Sequence, residues 1–213
     1  MFDIVIIGAG IVGLAIARSI AEKTQKSVLI IEKEESFGRG ISSRNSEVIH
    51  SGIYYEPESL KAKYCSRGRD MTYAFCNQHK IWVNRCGKIV MGKSHQTNEL
   101  EALHKNAQKN GVPDIRLLEQ KEINVLEPNI EADIALQVGC AGIGSAHDLM
   151  AAFYKISQEG DHDYLFKSIV VGADSKSDGY EISIDGGTNF KGGPEKKKFG
   201  IPISLLPPHL KNL

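Results

Sequence analysis

DIVIIGAGIVGLAIARSIAEKTQKSVLIIEK, residues 3–33, is the stretch that decides the fold. Residues 3–7 form a β-branched apolar run suited to a strand covered on both faces. Apolar residues then recur at helical spacing over 11–22, and SVLII, 27–31, is a second buried strand ending at Glu32. Strand, glycine turn, helix and strand within about 30 residues make a right-handed βαβ unit with parallel strands. The turn, GAGIVG at 8–13, has a task for each glycine. Gly8 permits the tight turn, Gly10 leaves room for a pyrophosphate, and Gly13 with Ala17 lets the helix lie close on the sheet. Ile11, Val12 and Gly13 open a helix whose free N–H groups and positive dipole end favour phosphate. Glu32, followed by Lys33, lies about 20 residues past the loop. There a carboxylate accepts hydrogen bonds from a ribose diol and disfavours a 2′-phosphate. The loop alone leaves NAD and FAD both open.

The 213 residues carry 26 basic and 26 acidic side chains, scattered except near the end, so nothing points to nucleic acid. Cys65, Cys76, Cys86 and Cys140 form no C-x-x-C pair. They read as buried free thiols in a reducing cytoplasm, and no metal site is expected. The apolar N-terminal stretch resembles neither a signal peptide nor a membrane span. Its first charge is Asp3, and three glycines interrupt it. No transmembrane segment is expected.

Farther along, 38–52 reads as a polar loop with a short helix from Ser43. A helix is predicted over 59–79 with Leu60, Met71, Ala74 and Phe75 inward. Strands are predicted at 82–83 and 88–91, then a helix over 97–110 ended by Gly111. Strands at 115–118 and 135–138 follow, then a helix begun by Ser145 with Asp148 in its first turn. Residues 164–171 and 180–184 read as a hairpin. From 186 the texture changes to GGTNFKGGPEKKKFG and PISLLPPHLKNL, which lack an apolar period, so a tail without structure is expected over 186–213.

The segment after Glu32 is rich in hydrogen-bond donors: Ser42, Ser43, Arg44 and Asn45, then His50, Gly52 and the pair Tyr54 and Tyr55. Taken singly, His50 suits a structural hydrogen bond and the tyrosines suit packing. Taken together, SSRNSEVIHSGIYYEPESLKAKYCSRG at 42–68 resembles the FAD-dependent oxidoreductases of the D-amino-acid oxidase superfamily. Within it, the likeness is to the L-2-hydroxyglutarate dehydrogenases and oxidases. NRCGKIVMG at 84–92, IRLLEQKEINVLEP at 115–128 and GIGSAHDLMAAF at 142–153 extend it, so that it covers roughly 1–171.

The resemblance implies an α/β fold: a Rossmann-like FAD-binding βαβ unit with a parallel sheet, plus part of an α+β substrate domain. That places an incomplete FAD-binding oxidoreductase domain at 1–185, with its substrate portion near 82–140. FAD would put its adenosine on Glu32 and its pyrophosphate over the glycine loop. The Ser42 to Asn45 loop would hold the phosphate and ribityl region, and His50 with Gly52 would approach the flavin ring. His50 is the candidate general base, and Tyr54 and Tyr55 the candidate substrate contacts. The substrate implied is an L-2-hydroxy acid, L-2-hydroxyglutarate above all, oxidised to the 2-oxo acid by hydride transfer to flavin. Peripheral contact with the inner face of a membrane is implied by the resemblance only.

Family members are longer, and nothing after Asp185 matches their later strands or second glycine region. A truncated oxidoreductase is therefore expected, binding FAD weakly and turning over little. A non-catalytic remnant and a related amine or glycerol 3-phosphate oxidoreductase are the alternatives. A nicotinamide module is disfavoured, because the chain leaves βαβ alternation after Glu32 for a long polar loop.

Overall fold

A computed structural model describes residues 2–186 and 197–202. In chain order the elements begin with β1 (Ile4–Ile7), α1 (Ile11–Lys23), β2 (Val28–Ile31) and a 3-10 turn at Ile41–Ser43. β3 (Val48–Ile49), α2 (Leu60–Gln78), β4 (Val83–Asn84) and β5 (Lys88–Gly92) follow. Next come α3 (Thr97–Lys109), β6 (Ile115–Glu119), α4 (Gln120–Leu126), β7 (Ile134–Val138) and β8 (Gly142–Gly144). The last are α5 (Ala146–Glu159), β9 (Asp163–Leu165), β10 (Ser168–Lys176), β11 (Gly179–Gly186) and β12 (Lys197–Pro202). The chain divides into two units, one of Met1–Asn45 with Ala146–Leu213, the other Ser46–Ser145.

In the first unit β2 lies between β1 and β9, all parallel, with Ile30 opposite both Ile6 and Tyr164. Its four residues, VLII, are all buried, as a central parallel strand requires. α1 and α5 pack together in this unit. Leu29 and Ile31 of β2 meet Ile182 and Ile184 of β11, so the β10-β11-β12 sheet closes over the parallel one. The expected hairpin therefore divides. Tyr164 and Leu165 leave it to join the parallel sheet, and 168–176 pair with 179–186 instead. Backbone pairing with β2 outweighs the local pattern there. Within the stretch expected to lack structure, 197–202 differs as well, since it pairs antiparallel with β11 as β12. The free edge of β11 supplies hydrogen-bond partners to backbone whatever its side chains. The rest of that stretch lies outside the described residues.

In the second unit β7 lies between β5 and β6. Leu136 and Val138 pack with Leu100 and Ala107 of α3, and Ile123 of α4 packs with Leu118 and Ala135. β8 sits between β3 and β4. α2 turns inward differently from its expected face. Leu60, Met71 and Ala74 are exposed, and Ala62, Arg69, Phe75 and Cys76 are buried. The apolar spacing on α2 is too sparse to fix a face, and polar contacts at Arg69 set the rotation instead. Cys86 is exposed and Cys65 half-buried, so only Cys76 and Cys140 are the buried thiols expected. Among the described residues no helix is long and apolar enough to cross a membrane.

Candidate functional site

The first unit holds an open cleft of about 310 Å³ at the carboxyl ends of β1 and β2. Gly8, Gly10, Glu32, Lys33 and Ser42 line it together. Gly8 has φ of +98°, a backbone that side chains rarely tolerate. A Cβ on Gly13 would overlap the Gly8 carbonyl, so that glycine is fixed by the contact of helix with turn. A Cβ on Gly10 would stand 3.1 Å from Ser42 Oγ, a tight approach.

Glu32, only 9 % exposed, ties the turn to the end of β2. One carboxylate oxygen accepts the Ala9 N–H at 2.7 Å and the other the Glu34 N–H at 3.0 Å. Each oxygen keeps a further lone pair for another donor. Ser42 Oγ accepts the Ile11 N–H at 3.0 Å, capping the first turn of α1 from outside the helix. The amides of Val12 and Gly13 lie in that same turn, where helix geometry provides no internal acceptor. Lys33 points its ammonium to Glu34 at 3.6 Å. Ser43 Oγ donates to the Gly40 carbonyl and Asn45 Nδ2 to the Ser42 carbonyl, so both brace their own loop, while Arg44 is exposed.

Sequence reading passed over part of this cleft. Gly38, with φ of +72°, donates its N–H to the Ala9 carbonyl at 3.0 Å and binds the 35–42 loop to the glycine turn. Ser168, Ile169 and Val170 of β10 form another wall, set there by the Ser168 N–H bonding to the Glu32 carbonyl. No local motif marks them, because they arrive through sheet pairing.

His50, Gly52, Tyr54 and Tyr55 belong to the second unit. The His50 side chain is exposed, Gly52 is buried with φ of +95°, Tyr54 is 60 % exposed and Tyr55 is half-buried. Lys88 Nζ sits 4.4 Å from the centre of the Tyr54 ring. Lys88 has no carboxylate partner within ion-pair distance among the described residues. Arg69, 4 % exposed, grips the Asp70 carboxylate at 2.9 and 3.1 Å and donates through Nη1 to the Ser51 carbonyl and Cys140 Sγ. Burial pushes the Cys65 and Cys140 thiols up from their ordinary value in spite of Arg69, which keeps both protonated at neutral pH. Tyr73 donates its hydroxyl to the Cys140 carbonyl at 3.2 Å. Cys65, Arg69 and Tyr73 stand four residues apart on one face of α2, a polar stripe that the sequence displays but its apolar pattern hides.

The cleft suits an extended dinucleotide. Its glycine turn and a buried carboxylate line one open cleft beside the start of a helix, an end that favours phosphate. Comparison with known proteins agrees. Human mitochondrial L-2-hydroxyglutarate dehydrogenase is 38 % identical over 187 residues, 87 % of this chain and 40 % of that protein. The enzyme of the same name from Dictyostelium discoideum is 38 % identical over 196 residues, 90 % of this chain and 41 % of that protein. The chain thus spans about two fifths of the length of these relatives. Among solved structures, glycine oxidase from Geobacillus kaustophilus superposes with a TM-score of 0.79 at 20 % identity, over 94 % of this chain and 53 % of that one. The L-alpha-glycerophosphate oxidase of Mycoplasma pneumoniae gives 0.77 at 22 % identity, over 92 % and 52 %. Both confirm the fold. The match to the family described as DAO, FAD dependent oxidoreductase, runs over residues 3–191, from the first strand through the cleft and the β10-β11 hairpin. The chain belongs to the DAO family of FAD-dependent oxidoreductases, whose cofactor is FAD.

Proposed function

We propose that the chain binds FAD in the glycine-turn cleft and takes part in oxidising an L-2-hydroxy acid, L-2-hydroxyglutarate above all, to the 2-oxo acid. The observation that carries this reading is the convergence of Gly8, Gly10, Glu32 and Ser42 on one cleft in a chain 38 % identical to L-2-hydroxyglutarate dehydrogenase. Glu32 would receive the ribose hydroxyls, and the Val12 and Gly13 amides with the Ser42 hydroxyl, itself braced by the Ile11 N–H, would meet the diphosphate. Lys33, Ser43, Arg44 and Asn45 would border the phosphate and ribityl side. His50 would take the proton of the substrate hydroxyl, as an imidazole nitrogen within hydrogen-bond reach can. Gly52, with φ of +95°, allows the backbone turn beside His50, and Tyr54 and Tyr55 would flank the acid. Lys88, without a carboxylate partner beside Tyr54, offers positive charge for a substrate carboxylate. Bound FAD supplies the acceptor for the hydride leaving substrate C2. The partner in this reading is a small acid, with peripheral membrane contact as a secondary feature. Four free thiols suit a reducing compartment, cytoplasmic in our reading, while the named relatives are mitochondrial proteins; cell fractionation separates the two.

Titration with FAD is expected to show weak saturable binding that Gly10→Val removes, because an isopropyl group there meets Ser42 Oγ. With FAD in excess and oxygen excluded, L-2-hydroxyglutarate should bleach the flavin absorbance. Glycine, glycerol 3-phosphate and the D enantiomer should not. Bleaching by one of those instead would reassign the substrate, and FAD binding without bleaching by any would favour a non-catalytic nucleotide-binding chain.

A further inference from the structure

Four side chains from two helices close on one short stretch of backbone. β3 ends at Ile49, and residues 50–55 have neither helix nor ladder to pair their polar groups. Side chains do so instead. The His50 carbonyl accepts the Cys65 thiol at 3.4 Å, and the Ser51 carbonyl accepts Arg69 Nη1 at 3.3 Å. The Gly52 carbonyl accepts Asn110 Nδ2 at 3.0 Å, and the Ile53 carbonyl accepts Asn106 Nδ2 at 2.8 Å. The second N–H of each asparagine goes to the Tyr55 carbonyl, at 2.9 Å from Asn106 and 2.8 Å from Asn110. Each amide has two such hydrogens, so both asparagines are wholly committed as donors to this stretch.

The spacing explains the convergence. Cys65 and Arg69 are four residues apart near the middle of α2, and Asn106 and Asn110 four apart at the end of α3, so each pair shares a helix face. Ser51, Gly52 and Ile53 are buried beneath the clamp, while the His50 and Tyr54 side chains stand exposed on it. A purely apolar fastening would hold Ile53 and leave the neighbouring peptide planes free to rotate. This clamp holds the peptide planes themselves, in the segment that carries His50.

We infer that Cys65, Arg69, Asn106 and Asn110 are positioning residues, which hold the 50–55 backbone in one conformation so that His50 meets the substrate hydroxyl in a fixed orientation. The inference rests on the proposed function. A group held in place before substrate arrives needs no ordering at the moment of reaction, and small misplacements are costly in rate.

The test compares Asn106→Ala, Asn110→Ala and the isosteric Asn110→Asp with Leu100→Ala, which empties a buried site in the core that Ile53 shares and removes none of the hydrogen bonds to the stretch. In the full chain, amides of residues 51–55 should exchange about tenfold faster or more in the asparagine variants than in Leu100→Ala at equal loss of melting temperature. The His50 imidazole resonance should broaden and its titration midpoint move in the asparagine variants alone. With FAD in excess, the maximal rate of flavin reduction should fall about tenfold or more, with KM changing less. Exchange and His50 titration that merely follow Leu100→Ala would overturn the inference, as would an unchanged reduction rate beside faster exchange. A wild-type chain that reduces no flavin with any 2-hydroxy acid would end the proposed function, and the exchange and titration results would then decide the positioning role alone.

Discussion

Tyr164 and His162 lie two residues apart near the start of β9, and burial acts on them at opposite ends of the pH scale. Burial pushes the Tyr164 hydroxyl up to about 12, against the opposing hydrogen bond with Ser157. The folded chain therefore keeps this proton where the unfolded chain releases it. The associated stability is full below the ordinary value of 10.0 and is lost as pH climbs toward 12. Tyr164→Phe should flatten that alkaline decline in a denaturant titration while wild type shows it. Burial holds His162 below its ordinary value of 6.5, in spite of Asp161 and Asp163 beside it, and its Nδ1 is buried without a protein partner. Here the unfolded state binds the extra proton, so stability present above 6.5 falls as pH drops through the lower folded value. His162→Gln should blunt this acid loss; an identical slope in both proteins would assign it elsewhere. At this scale the sequence was legible where chemistry is local. The left-handed Gly8, the closely packed Gly13 and Glu32 all stand within one βαβ unit. Asn106 and Asn110 have no such local setting, because the carbonyls they hold lie 51 to 58 residues away.

Helices and strands were read well where apolar period and caps agreed. α1 and α3 fall close to their expected limits, α5 starts where Ser145 leads the reading to place it, and Gly111 adopts φ of +63° just after α3. α4 and the short strands β3 and β8 carry too few residues for a period to register, and α2 shows that a sparse apolar pattern can point the wrong way. Two substitutions probe how these elements pack. α1 and α5 meet so closely that a Cβ on Gly160 would lie 2.6 Å from Ala21 Cβ. Gly160→Ala should lower stability by roughly 1–3 kcal/mol through overpacking, measured by urea unfolding. Leu136, wholly buried on the central strand β7, should cost about 2–5 kcal/mol as Leu136→Ala.

The two units have separate cores, one between the parallel sheet and β11, the other around β7 and α3. The cleft is lined entirely by the first unit. Ligand that binds only the folded state stabilises what it touches by mass action. FAD should therefore slow amide exchange around the glycine turn, residues 38–42 and the start of β10. Strong protection centred on β7 would place the cofactor elsewhere. A strand beginning at 164 was legible, but its place as the third strand of the parallel sheet was not, for β9 follows a whole inserted unit.

That insertion has a consequence for synthesis on the ribosome. Leu29 pairs with Asp163, so the second strand must wait for its neighbour while residues 46–145 are translated. At roughly 5–20 residues per second, the delay is on the order of ten seconds. In that interval the inserted unit has all its strands and can condense, whereas the nascent glycine-turn segment presents the wholly apolar VLII of β2 with one flank unpaired. A holdase chaperone would be expected to engage that segment first and to let go once Leu165 has emerged.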